Sequence, residues 1–269
     1  MALPPPSKDS AVLVTGASSG IGSDIARSLA RRGHNVVLVA RREDRLAELA
    51  LELAETHGID ARAVACDLQK DAARKRMLTA VAKLGRQIDG LVNNAGFGSG
   101  GRFQDLDPAR EAAMVRLNCE VVVALCGHFV PLMVEQGEGA ILNVASTSAF
   151  QPLPTMATYS ASKAFVLHFT QALGADLHGT GVSTTALCPG PVKTEFVESA
   201  ELTRDASRLP EFAWEDSTDV ADAGVDGMED GKGVVIPGTL NRLTSIGGQH
   251  VPRSIFTSVA RRVYRLGDN

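Results

Sequence analysis

The sequence predicts an α/β protein, a single domain built on one doubly wound parallel sheet of seven strands, and three observations carry that expectation. Short apolar runs that read as buried strands alternate with stretches of helical apolar spacing along most of the chain. A glycine-rich turn follows the first of these runs directly. No shift in composition divides the 269 residues, a length that one domain can fill while burying most of its apolar surface without help from disulfides.

Strand candidates begin at Ala11, Asn35, Ala61, Gly90, Ala140, Ser183 and Gly233. The first, Ala11 to Val14, runs into Thr15-Gly-Ala-Ser-Ser-Gly-Ile-Gly22, and Ile21, Ile25, Ala26, Leu29 and Ala30 then recur at helical spacing. Strand, glycine turn and helix in that order make a Rossmann-type dinucleotide site. Backbone N–H groups in such a turn can approach a pyrophosphate, and the helix aims its positive end at it. Gly16, Ser18, Ser19, Gly20, Ile21 and Gly22 are therefore candidate cofactor contacts.

The second strand, Asn35 to Ala40, is followed by Arg41 and Arg42. An acidic residue at this strand end would bind the adenosine ribose of NAD, whereas arginine accommodates the 2′-phosphate of NADP. With no carboxylate at the strand end, the two arginines favour NADP(H). The plainer alternative is a pair of solvated charges leading into the helix of Arg45 to Leu53.

Tyr159 and Lys163 lie four apart in a helical stretch, one turn apart on one face. A phenol of pKa about 10 can serve as an acid or base near neutrality only if its anion is favoured by about 3 to 4 kcal/mol. An ammonium at about 4 Å, with an effective dielectric of about 20, supplies about 4 kcal/mol before its own desolvation is counted. The same spacing also occurs on ordinary solvated helix faces.

Taken together, these motifs resemble the classical short-chain dehydrogenase/reductase family over about Ala11 to Gly238. Thr15 to Gly22 matches its TGxxxGxG turn, and Asn93-Asn94-Ala95-Gly96 matches its NNAG motif. The resemblance implies that Asp67 and Leu68 contact adenine, that Asn94, Ala95 and Gly96 line the cofactor, and that Pro189, Gly190, Val192 and Thr194 cradle the nicotinamide. It further implies a catalytic set of Asn118, Ser146, Tyr159 and Lys163. Ser146, thirteen residues before Tyr159, would hold the substrate oxygen, although Thr147 or Ser148 could do so chemically. Tyr159 would be acid or base, Lys163 would favour its phenolate and hold the nicotinamide ribose, and Asn118 would position a water or brace a helix kink. Homodimers or homotetramers, paired through the helices of about Pro108 to Gln136 and Tyr159 to His178, are also implied.

The expected activity is an NADP(H)-dependent interconversion of a carbonyl and a secondary alcohol. The segment from Glu195 to Ser217 is expected to form a substrate lid. Phe196, Leu202, Leu209, Phe212 and Trp214 in it suggest a lipophilic substrate, oxoacyl or steroid-like, unless they only anchor the loop. The rival readings are a cofactor-binding regulator without turnover and a sugar-nucleotide epimerase or dehydratase. A net charge of −4 and a pI near 5.9 argue against general nucleic-acid binding. Cys66, Cys119, Cys126 and Cys188 lack metal or redox spacing and read as reduced thiols of a cytoplasmic protein, and the six histidines suggest no metal site. Residues 1–10 read as a flexible leader, and no uninterrupted apolar run is of bilayer-spanning length. Residues 239–269 are expected to form an extension. Its basic amphipathic helix, with Arg253, Arg261, Arg262 and Arg265, would pack on this domain, on a sister subunit or on a membrane surface.

Overall fold

The computed structural model describes residues 3–196 and 213–249. In chain order the elements are β1 (Ser10–Thr15), α1 (Gly20–Arg31), β2 (Val36–Ala40), α2 (Glu43–His57), β3 (Ala61–Ala65), α3 (Asp71–Ala82) and β4 (Gln87–Asn93). They continue with α4 (Pro108–Val115), α5 (Val121–Gln136), β5 (Gly139–Val144), α6 (Ala157–Asp176) and β6 (Val182–Leu187). Beyond residue 212 follow α7 (Ser217–Glu229), β7 (Val234–Val235) and α8 (Thr239–Gln249). The expected seven-stranded parallel sheet is present, ordered β3-β2-β1-β4-β5-β6-β7. The order reverses between β1 and β4, and such a switch point opens a crevice at the carboxyl ends of the strands.

Alternation along the strands divides the core between the two faces of the sheet. Leu13, Val37, Val39, Leu91 and Ile141 pack with Met77, Leu125, Phe129, Met133 and Val166, from α3, α5 and α6. Val12, Val14, Leu38, Val92 and Leu142 pack with Ile25, Leu29, Leu46, Leu53 and Val225, from α1, α2 and α7. Burial on both faces makes the central strands nearly continuous apolar runs.

Two expectations need correction. β4 starts at Gln87, not Gly90, because Ser10 and Ala11 of β1 pair with Gln87 and Ile88 before a register shift at Ala11/Val12. The polar Gln87 and the buried Asp89 hide this pairing from a reading based on apolar runs. The segment expected to be a flexible leader is tied down from Leu3 onward. Leu3 is buried, its N–H donates to Met228 O at 3.1 Å, and Asn35 Nδ2 donates to Ser7 O at 2.9 Å. The helix expected over about Pro108 to Gln136 is present: α4 and α5 join through a π-helical turn, Arg116–Glu120, into one helix of 29 residues, Pro108–Gln136. By length and composition it could cross a membrane, yet Val121, Val122, Leu125, Phe129 and Met133 pack it on the sheet. Val115, Val123 and, on α6, Phe165 are exposed apolar side chains. All four cysteines are free thiols, in accord with the sequence reading.

Candidate active site

The glycine turn is shaped by close approach as well as by backbone angle. Gly16 and Gly20 have φ of +67° and +57°, the left-handed region that side chains rarely enter. A Cβ on Gly16 would stand 2.7 Å from Asn94 Nδ2, and one on Gly22 would overlap both Asn94 Nδ2 and Gly16 O. Thr15 fastens the turn to the end of β4. Its Oγ1 donates to Val92 O at 3.1 Å and accepts from the N–H groups of Asn94 and Ala95 at 3.0 and 3.1 Å. Asn94 Nδ2 returns a bond to Thr15 O at 3.0 Å. The α1 N-terminus beside this turn has no side-chain cap at Ser19 and no acidic residue in its first turn. Unsatisfied N–H groups and the positive end of the helix dipole suit it to an anion. The residues present thus fit a pyrophosphate.

At the end of β2, Arg42 lies against the turn. Its Nη2 donates to Ser19 Oγ at 2.6 Å and Ser18 Oγ at 3.0 Å, and its Nε donates to Ser18 Oγ at 3.2 Å. Arg42 Nη1 reaches Glu195 Oε2 at 2.8 Å, and Arg45 Nη1 reaches Glu195 Oε1 at 2.6 Å. Hydrogen bonds from Arg42 and then Arg45 hold the Glu195 carboxyl down at about 2. Arg41 is exposed and makes no ion pair among the described residues. Across β3, Leu68 is buried, and Asp67 Oδ1 accepts from Gln69 N–H at 3.2 Å. These donors fit a nucleotide phosphate.

The strand ends and α6 bring the other candidates together. Ser146 follows β5 and caps the turn Thr147–Phe150, its Oγ accepting from Ser148 N–H at 3.1 Å. Tyr159 and Lys163 project from α6 and are both buried, with relative exposures of 7% and 6%. Lys163 Nζ donates to Val144 O at 2.8 Å and stands 5.8 Å from the centre of the Tyr159 ring. The Phe196 ring packs against the Tyr159 ring, with the centroids 5.5 Å apart. Burial pushes the phenol up to about 12, against the pull of the Ser146 and Ser148 hydroxyls. Burial likewise lowers Lys163 to about 8. In this structure burial outweighs the help expected for the phenolate from an ammonium one turn away. Each group is desolvated, and the ammonium is committed to a strand carbonyl rather than to the phenol.

Asn118 occupies the π-helical turn, where three hydrogen bonds hold its amide. Oδ1 accepts from Phe97 N–H at 3.2 Å, and Nδ2 donates to Phe97 O and Ser162 Oγ, each at 3.0 Å. A Cβ on Gly96 would come within 2.9 Å of Asn118 Oδ1 and 3.6 Å of Lys163 Nζ, so only glycine lets the loop after β4 pass between them.

Pro189 and Gly190 follow β6. Pro189 O accepts from Thr147 N–H at 2.8 Å, and Gly190 N–H donates to Glu215 Oε2 at 2.7 Å. Val192 bridges to Glu215, and Thr194 approaches Gly20, whose Cβ would lie 3.2 Å from the Thr194 side chain. Thr15, Arg45, Glu195 and Glu215 escaped the sequence reading as site residues. Only Thr15, adjoining the turn, had a local signal. Of the expected lid, Leu202, Leu209 and Phe212 lie outside the described residues, as does the stretch from Val251 onward expected to form a basic helix. Trp214 is described, with Lys193 Nζ 5.9 Å above its ring.

Residues 10–205 match the family described as short chain dehydrogenase. An NADP-dependent 3-hydroxy acid dehydrogenase of Salmonella typhi is 38% identical over 192 residues, 69% of this chain and 74% of that one. A solved short-chain dehydrogenase from Sphingobium yanoikuyae in complex with NADPH is 32% identical, with a TM-score of 0.78 over 97% of this chain and 96% of that one. The bulky-bulky ketone specific alcohol dehydrogenase from Comamonas testosteroni is 29% identical, with a TM-score of 0.76 over 98% of this chain and 96% of its own.

Proposed function

This chain belongs to the short-chain dehydrogenase family of oxidoreductases, and from that premise we propose that it interconverts a carbonyl and a secondary alcohol with NADP(H), acting on a lipophilic substrate. The observation that carries this reading is convergence. A glycine turn, an arginine at the second strand end, and Ser146, Tyr159 and Lys163 all meet at the carboxyl edge of one sheet. The cofactor would be held by Gly16 to Gly22, Arg42, Leu68, Asn94 to Gly96 and Pro189 to Thr194, and when bound it supplies or accepts the hydride.

Tyr159, neutral in its buried setting, donates a proton to the developing alkoxide in reduction and takes it back in oxidation. Ser146 directs its hydroxyl at the substrate oxygen, where charge develops. Lys163, protonated at neutral pH but held near 8, stabilises the phenolate left by proton transfer. Asn118 holds Phe97 and Ser162 in place, which sets the wall facing Lys163. Phe196 beside Tyr159, and Phe97 beside Asn118, support an apolar substrate. The exposed apolar side chains on α4, α5 and α6 support a homo-oligomer paired through these helices.

Titration of the purified protein with NADPH and NADH, followed by a panel of lipophilic ketones with NADPH oxidation as the readout, tests the proposal. NADPH bound at least about tenfold more tightly than NADH, with turnover on part of the panel, is the expected result. Equal affinities would remove the phosphate role of Arg42. Turnover confined to small polar carbonyls would remove the lipophilic substrate.

A further inference from the structure

The carboxylate of Glu195 sits where the adenosine 2′-phosphate of the proposed cofactor would be recognised. Arg42 follows β2, at the strand end where an arginine selects NADP. Three hydrogen bonds from its Nε and Nη2 to the Ser18 and Ser19 hydroxyls fix the plane of its guanidinium, leaving Nη1 as the edge that meets an anion. That edge is taken by Glu195 Oε2 at 2.8 Å, while Oε1 takes Arg45 Nη1 at 2.6 Å. One anion thus spans two guanidinium groups, each oxygen serving one arginine, in the manner of a bound phosphate.

Two further observations separate this contact from an incidental surface ion pair. The residue before Glu195, Thr194, rests its side chain on the glycine turn, 3.2 Å from the position of a Cβ on Gly20. The carboxylate is therefore presented to the phosphate-binding region by the segment that follows the expected nicotinamide cradle. The three side chains are also 50%, 40% and 43% exposed, for Glu195, Arg42 and Arg45. Water screens such a pair, so a more highly charged anion can displace the carboxylate without stranding a buried charge.

We propose that Arg45 joins Arg42 in binding the 2′-phosphate, and that Glu195 is the resident anion this phosphate displaces, so that Glu195 sets how strongly NADP(H) is preferred over NAD(H). The inference rests on the NADP(H) reading given above. The wild type accordingly has a weaker grip on the phosphate than its two arginines would give alone, and adding the phosphate frees the Glu195 side chain.

Calorimetric titration of the full chain with NADPH, NADH and 2′,5′-ADP, on wild type, Glu195→Gln and Arg45→Met, tests this. Glu195→Gln is expected to tighten NADPH and 2′,5′-ADP about three- to tenfold, a gain that shrinks as salt is raised. Arg45→Met is expected to weaken both about tenfold. NADH affinity, unchanged in both variants, reports that the fold is intact. A wild type that prefers NADPH, with a Glu195→Gln variant that binds it no more tightly, overturns the displacement and leaves the cofactor reading standing. A wild type that binds NADPH and NADH alike, and 2′,5′-ADP not at all, overturns the cofactor reading and the displacement with it.

Discussion

At Arg42, charges are about half exposed and paired with one another across 153 residues of sequence; at Tyr159 and Lys163, ionisable groups are buried and held apart by a backbone carbonyl. The end proposed to bind adenosine therefore has charge that is ready-made and easily exchanged. On the proposal above, an anion enters there by replacing another anion, at little cost in stability because the pairs are exposed. At the end proposed for the reaction, charge is costly in the resting protein, with the phenol pushed up to about 12 and the ammonium down to about 8. A group whose charged form is disfavoured at rest gains most from a ligand that supplies compensating contacts. The difference suggests that binding selectivity resides at the first end and proton transfer at the second.

Changes at the reaction end should therefore act on turnover and on stability in opposite senses. Tyr159→Phe is expected to lower kcat about 10³-fold or more, the largest effect, since it removes the proton donor. Lys163→Met should lower kcat about 10²-fold. The same variant should raise stability at pH 7 by about 1 to 2 kcal/mol. Lowering the lysine to about 8 costs on the order of 3 kcal/mol, partly offset by the Val144 carbonyl that loses its donor. The sign follows from the direction of the shift. The unfolded chain holds the Lys163 proton more tightly, so this contribution to stability is full above the ordinary lysine value of 10.5 and is lost as pH falls through about 8. Urea unfolding of both proteins at pH 7 and pH 9.5 should show the gap between them narrowing at the higher pH. A constant gap would break the contrast between the two ends.

At the adenosine end, Arg42→Ala should weaken NADPH about tenfold or more while leaving NADH within about twofold. Its effect on stability is expected to be the smallest, under about 1 kcal/mol, because the ion pair is exposed. Thermal unfolding and nucleotide titration on the same preparation check both parts. A large loss of stability would mean that Arg42 is a structural brace of the glycine turn first and a ligand contact second.

What could be read from the sequence follows the range of each interaction. Runs such as Val12-Leu13-Val14 and Val36 to Val39 declare strands because both faces are buried. The glycine turn is equally plain, since Gly16 and Gly22 leave no room for a side chain. The placement of Tyr159 and Lys163 on one helix face was legible too. Their electrostatics were not, because the partner of Lys163 is a carbonyl on β5 and burial outweighs the pairing. Arg45 and Glu195 have no local pattern at all; their contact exists only once the segment after β6 folds back on the turn. The π-helical turn that carries Asn118 has no local pattern either, and its bond to Phe97 spans 21 residues of sequence.

The most direct measurement is kcat and NADPH affinity on one preparation of Tyr159→Phe, beside wild type, with a ketone the wild type reduces. If Tyr159 donates the proton in an NADP(H) oxidoreductase, turnover falls about 10³-fold or more while the NADPH dissociation constant stays within about twofold. Turnover near the wild-type rate with that substrate would contradict the account, because the proton would then have to come from another group.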